Sequence, residues 1–197
     1  EAINCYKKTI QLKPNHPVAY YNFAIALKEL GEELKAITYY EKAIEINPNY
    51  AEAYNNLGNS YKELKNFEKA ITYHEKAIEI NPNYADAYNN LGIAFKNLGN
   101  DHEAINCYKK AIQLEPNQPE AHYNFAIALK ELGEELQAIS YYEKAVKIKP
   151  NYADAYNNLG NCYKDFGDFP KAINCYEQAI KSQPGNLANF YSLSELK

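Results

Sequence analysis

Apolar residues recur at helical spacing along the whole chain. In residues 51–84, Ala53, Tyr54, Leu57, Gly58, Tyr61 and Leu64 fall three or four apart, as one face of a helix requires. A second face follows with Ala70, Ile71, His74, Ala77 and Ile78. Between the two lies a turn position, held elsewhere by Gly31, Gly99, Gly133 and Gly167 and here by Lys65. Acidic residues near the start of the first helix (Glu52, Asp86, Glu120, Asp154) suit the positive end of its dipole. The second helix is predicted to stop before Pro82, because proline disfavours helical geometry in the residue preceding it.

The pattern is periodic. Pro14, Pro48, Pro82, Pro116, Pro150 and Pro184 stand 34 residues apart. This phase divides the chain into five complete units, 17–50, 51–84, 85–118, 119–152 and 153–186. Residues 1–16 supply the second helix of an earlier unit, and 187–197 the first helix of a partial repeat or C-terminal cap. A longer symmetry overlies the short one: residues 1–60 agree with 103–162 at 48 of 60 positions, which points to duplication of a three-unit block. A single hairpin cannot bury both of its faces, so the expected fold is all-α, a solenoid of stacked antiparallel helix hairpins. Gly58, Ala70 and Ala77 would let helix axes approach closely, while Tyr54 and Tyr61 fill space between neighbouring hairpins.

Composition narrows the function. All 21 basic residues are Lys, against 25 Asp and Glu, for a net charge of −4. No basic block could track a phosphate backbone, so nucleic acid is not expected as a partner. Without arginine, a carboxylate or phosphate site built on guanidinium forks is excluded. No stretch approaches the roughly 18 apolar residues of a membrane span. There is no Met, and Glu1-Ala2-Ile3 has no signal-peptide character, so a fragment or processed product is expected.

Cys5, Cys107, Cys162 and Cys175 form no C-x-x-C pair, and His16, His74, His102 and His122 show no H-E-x-x-H spacing, so neither a metal ion nor a cofactor is expected. Cys5, Cys107 and Cys175 share one phase of the repeat with Tyr39, Tyr73 and Tyr141 and read as core substitutions. Disulfides are not needed by an array of this size, and an intracellular compartment, cytoplasmic or nuclear, follows. Ser60, Ser140 and Ser182 lie in no nucleophile motif, and no catalytic constellation emerges.

These units resemble the tetratricopeptide repeat. Its pattern of an aromatic, Leu, a small residue, an aromatic, Gly, Ala, an aromatic, Ala and Pro is met by Tyr156, Leu159, Gly160, Tyr163, Gly167, Ala172, Tyr176, Ala179 and Pro184. In the preceding unit His122, Phe125, Ala126, Leu129, Gly133, Ala138, Tyr142, Ala145 and Pro150 take these places. The resemblance covers essentially the whole chain. It implies a right-handed superhelix whose first helices line a concave face, and a non-catalytic scaffold that binds an extended peptide segment of a partner protein there. Tyr stands for the family's usual Trp, and His74 and His122 stand where aromatics are expected and read as packing residues.

One row on the first helices is not explained by the core: Asn22, Asn56, Asn90, Asn124 and Asn158 share one phase. Asn is a poor residue for a helix interior, because its side chain competes for backbone hydrogen bonds. Helices packed about 8–10 Å apart would place a rung at every third residue of an extended peptide, which advances about 3.3 Å per residue. The amide both donates and accepts, so such a row could hold a main chain without reading its sequence. The same residues could equally bond to the neighbouring repeat. The Tyr-Asn-Asn-Leu-Gly and Leu-Lys-Glu-Leu-Gly segments are similar to those of the superhelical region of O-linked N-acetylglucosamine transferases. That resemblance implies ligand contact at these five Asn, and makes a substrate-recognition arm of such an enzyme the alternative function.

A second row, Lys28, Lys62, Lys96, Lys130 and Lys164, reads either as an edge paired with acidic first-turn residues of adjacent units or as a preference for acidic ligands. Between the rows, Ile25, Ile93 and Ile127 alternate with Asn59 and Asn161, and would set specificity as apolar or polar pockets. A chaperone-type carboxylate clamp is not expected, since its leading Lys position holds Tyr21, Asn55, Asn89, Tyr123 or Asn157 and its Arg is absent. At the ends, the face of Ile3, Tyr6 and Ile10 is expected to be exposed and to dock, head to tail, on residues 187–197 of another copy. Assembly through residues 1–13 and 187–197 is thus a further alternative.

Overall fold

The computed structural model describes residues 2–196, and among these every regular element is a helix. The order is α1 (Ala2–Leu12), α2 (Pro17–Glu29), α3 (Glu33–Ile46), α4 (Ala51–Glu63), α5 (Phe67–Ile80), α6 (Ala85–Asn97), α7 (Asp101–Leu114), α8 (Pro119–Glu131), α9 (Glu135–Ile148), α10 (Ala153–Asp165), α11 (Phe169–Ser182) and α12 (Leu187–Ser194). The chain forms two compact units, Glu1–Ala104 and Ile105–Lys197, with the boundary inside α7. In the first, α2 pairs with α3 and α4 with α5; in the second, α8 pairs with α9 and α10 with α11. The architecture is an α-solenoid of helix hairpins.

Each hairpin turns through one left-handed residue. Gly31, Gly99, Gly133 and Gly167 have φ between 76° and 79°, and Lys65 takes the same turn at φ 57°. After it the chain closes the helix in one way throughout. The amide of Glu32 returns to the carbonyl of Leu27 and that of Asn66 to Tyr61, both at 2.9 Å. Helix starts are fixed by side chains where the sequence allows: Asn66 Oδ1 accepts from the Lys69 amide at 3.2 Å and Asp168 Oδ1 from that of Lys171 at 3.3 Å.

The core is made of alanines and rings. Ala36, Ala43, Ala70, Ala77, Ala138, Ala145, Ala172 and Ala179 are fully enclosed, which lets second helices lie close to their partners. Tyr40, Tyr142 and Tyr176 fill one phase of the second helix, where His74 stands in α5. A methyl group added at Gly58 would lie 2.7 Å from His74 Cε1, and one at Gly160 2.7 Å from Tyr176 Cε1. Glycine is therefore what lets the ring cross the first helix in these two hairpins. Tyr61 stacks on Tyr73 at 5.3 Å and also packs against the α2–α3 cluster, so it serves its own hairpin and the one before.

Two expectations about the N-terminus are corrected. Ile3, Tyr6 and Ile10 are not bare: they are partly buried against the cluster of Phe23, Ala24, Leu27, Ile37 and Tyr40. A second helix packs forward on the next hairpin as well as back on its own, and α2 and α3 occupy the forward side. Cys5 is exposed, unlike the buried Cys107 and Cys175 of the same phase. All four thiols are free. Of residues 187–197, α12 lies on α11, and the nearby Phe190 and Tyr191 are exposed.

Candidate functional site

The asparagine row is tied into the scaffold by one bond that recurs from unit to unit. Asn56 Nδ2 on α4 donates to Tyr21 Oη on α2 at 2.9 Å, and Asn90 Nδ2 on α6 donates to Asn55 Oδ1 on α4 at 3.2 Å. In the second compact unit Asn158 Nδ2 on α10 donates to Tyr123 Oη on α8 at 3.2 Å. Each bond reaches back 35 residues, one more than the repeat. Of the two accounts of the row, bonding to the neighbouring repeat is thus present at Asn56, Asn90 and Asn158. A primary amide that gives one N–H this way keeps its second N–H and the remaining capacity of its carbonyl. This bond fixes the orientation of the amides of Asn56, Asn90 and Asn158, and at Asn158 the Tyr142 hydroxyl is a second hydrogen-bond partner.

Asn55 is the junction of the first compact unit. It is buried, donates to Tyr84 Oη at 3.4 Å, and accepts at Oδ1 from Asn90 and from His74 Nδ1 at 3.0 Å. Since Asn55 Oδ1 can only accept, the His74 proton sits on Nδ1 and Nε2 carries the lone pair. That Nε2 is buried and has no partner. The imidazole is pushed down to a pKa of about 3 by burial, with the Lys62 charge adding to the effect.

The positions between the rows respond to the same exchange. Tyr176 Oη donates to Asn161 Oδ1 at 2.8 Å, across 15 residues. Asn59 stands 15 residues before His74, and its Oδ1 is buried without a partner. The imidazole ends short of the place a tyrosyl hydroxyl would reach. Asn59 and Asn161 are therefore different polar positions, one open and one satisfied, although the sequence makes them alike.

The lysine row departs from expectation. Lys130 pairs with Asp165 at 3.3 Å and Lys164 with Glu195 at 3.1 Å, while Lys28 approaches Glu33 of its own hairpin at 3.8 Å. The partners are not the acidic first-turn residues of the adjacent first helix. Within each compact unit first helices of successive hairpins run in the same direction, so the end of one faces the end of the next, not its start. Lys62 makes no ion pair among the described residues and its pKa is lowered, mainly by burial, with Lys28 contributing and Glu63 opposing.

In the second compact unit three nominated residues converge. Ile127, Lys130 and Asn158 line a cleft of about 400 Å³ with Glu131 and Tyr142. Burial raises the Tyr142 hydroxyl pKa far above that of free tyrosine, so it stays protonated. The cleft thus combines an apolar wall, an ammonium already paired with Asp165, a carboxylate, an amide and a hydroxyl. In the first compact unit Ile25 is half-buried and packs against the α2–α3 core, and Asn22 and Ile93 are half-buried. Tyr142 and Glu131 were not nominated from the sequence. The signal for Tyr142 was its polar tip at an otherwise apolar phase, 15 residues after a varying first-helix position. Among the described residues no three His, Cys, Asp or Glu side chains are placed to hold a metal ion, and no helix is long and apolar enough to cross a membrane.

Sequence profiles of the tetratricopeptide repeat match residues 51–84 and 153–186; a second repeat profile matches 34–65, 98–133 and 136–165, and a third 5–38 and 75–106. No curated protein matches the sequence. Among solved structures the chain is similar to YrrB, described as a tetratricopeptide-repeat protein with an unusual peptide-binding site. The identity is 27%, over 95% of this chain and 96% of that one, with a TM-score of 0.69. MamA is also 27% identical, over 85% of this chain and 92% of that one, with a TM-score of 0.70. PilF of Pseudomonas aeruginosa shares the fold with a TM-score of 0.83 at 23% identity, over 96% of this chain and 86% of that one.

Proposed function

The chain belongs to the tetratricopeptide-repeat family, and on that premise we propose that it is a non-catalytic scaffold holding an extended segment of a partner protein along its first helices. The observation that carries the reading is the cleft where Ile127, Lys130, Tyr142 and Asn158 meet. An apolar side chain of the ligand would lie against Ile127. The remaining capacity of the asparagine amides would meet ligand main chain, and Lys130 would favour an acidic residue nearby. Neutral hydrogen bonds contribute only about 0.5–1.5 kcal/mol each, so the asparagine row alone would bind weakly and with little sequence preference. Selectivity would come from Ile25, Ile93 and Ile127 set against Asn59 and Asn161. The similarity to YrrB, itself described as peptide-binding, supports a peptide as ligand.

The test is selection of 12-residue peptides from a random display library on the full chain, followed by anisotropy titration of an enriched peptide. Ile127→Asn installs the residue found naturally at 59 and 161, so the helix tolerates it. It should weaken binding about tenfold at unchanged helicity. Equal affinity for the variant, or a library with no enriched sequence, would overturn the reading.

A further inference from the structure

A further cleft of the second compact unit lies away from the rows described above. It has a volume of about 670 Å³, and its floor is Ile112, Pro116 and Ile148, from α7, the loop after it and α9. His122, Lys144 and Lys147 also line it. The ring of His122 is buried and stacks on Tyr141 with centroids 5.8 Å apart, and Lys144 Nζ sits 4.3 Å from the centroid of the same Tyr141 ring. His122 Nε2 lies 2.8 Å from the carbonyl oxygen of Pro116. A carbonyl can only accept, so the proton is on Nε2, and Nδ1 presents a lone pair that is buried and has no partner.

The duplicated block shows what is peculiar to this place. At the corresponding surface of the α2–α3 and α4–α5 hairpins the lysine is neutralised one turn on, Lys42 by Glu45 and Lys76 by Glu79, each at 2.6 Å, whereas Lys8 and Lys110 are followed there by the uncharged Gln11 and Gln113. In α9 the glutamate is replaced by Lys147, and neither Lys144 nor Lys147 has a carboxylate within 4 Å among the described residues. His122 likewise replaces Tyr20. Of the 12 positions where residues 103–162 differ from 1–60, eight fall in the stretches 111–122 and 146–149, which hold the cleft's floor and rim. Two of them changed together into an ion pair, Glu120 with Lys149 at 2.9 Å, where the first block has Val18 and Asn47. Two unneutralised lysines over an apolar floor, in a chain of net charge −4, make a local cationic site.

We propose that this cleft is a second binding site, for an acidic peptide segment of a partner protein. A ligand carboxylate pairs with Lys144 and Lys147, and the apolar side chain beside it lies on Ile112, Pro116 and Ile148. The site is separate from the first-helix rows and needs none of their residues.

Three probes titrated into the full chain test it by NMR: N-acetyl-Leu-Glu-amide, its N-acetyl-Leu-Gln-amide counterpart, and inorganic phosphate. The glutamate probe should shift the His122 ring resonances and the amides of 144–148 saturably, at least tenfold more tightly than the glutamine probe. Lys147→Glu rebuilds the pair present at Lys42–Glu45, so it keeps the fold, and it should weaken the glutamate probe at least tenfold; Lys144→Gln should do the same. Asn158→Ala should leave these shifts unchanged, which separates this site from the cleft at Ile127. Absence of saturable shifts, equal response to the two peptides, or retention in Lys147→Glu would overturn the proposal. Phosphate giving the same shifts at the same concentration would overturn its peptide assignment and leave an anion site.

Discussion

His74 makes the stability of the first compact unit sensitive to acid. The ring is fully buried, its pKa is about 3 when folded, and an unfolded histidine titrates near 6.5. The folded pKa is the lower one, so below 6.5 the unfolded chain binds a proton that the folded chain refuses. Stability is therefore complete above pH 6.5, falls as the pH drops toward 3, and levels off below that. Between pH 7 and pH 5 the two pKa values translate into a loss of about 2 kcal/mol from this residue alone. Carboxylates and the other histidines also titrate in this range, so the measurement must be a difference. Urea unfolding followed by circular dichroism at pH 7 and pH 5 should be run on the native chain and on His74→Tyr, which installs the residue found at 40, 108, 142 and 176. His74→Gln, which is smaller and does not titrate, controls for overfilling. Both variants should lose about 2 kcal/mol less than the native chain over that interval. The same pH dependence in all three proteins would refute the assignment of a buried, neutral imidazole.

Lys65→Gly should stabilise the chain. The left-handed turn at φ 57° costs a side-chain-bearing residue about 1–2 kcal/mol, which exceeds glycine's extra loss of freedom on folding. A melting-point rise of a few degrees checks it. Gly160→Ala should destabilise by about 1–3 kcal/mol, since its methyl would meet Tyr176 Cε1 at 2.7 Å and Cys175 Cβ at 3.2 Å; thermal unfolding is the readout. A thiol-specific chromogenic reagent should modify one cysteine, Cys5, rapidly. Cys107, Cys162 and Cys175 should react only in denaturant, because they are buried and burial raises the thiol pKa of the last two.

Much of this protein follows from the chain read as a string. The 34-residue period, the proline after each second helix and the glycine in four of the five turns specify where helices begin and end, because these are local matters of backbone geometry. The enclosed alanines and the tyrosine phase were equally visible, since a helix of 3.6 residues per turn puts every third or fourth residue on one face. What the period could not convey was the partner of each exposed side chain. Asn56 and Asn158 reach a tyrosine, and Asn90 an asparagine, 35 residues back. That offset depends on how one first helix is displaced along the next, which no local pattern encodes. Of the two readings of the lysine row, the pairing with first-turn carboxylates misses Asp165 and Glu195, because helix direction, not spacing, decides which ends meet. The pattern leaves Ile3, Tyr6 and Ile10 bare, because the residues that cover the forward side of a second helix are distant in it. Asn59 and Asn161 look interchangeable in sequence. Only packing, which puts a histidine beside one and a tyrosine beside the other, makes the first an open acceptor and the second a closed one.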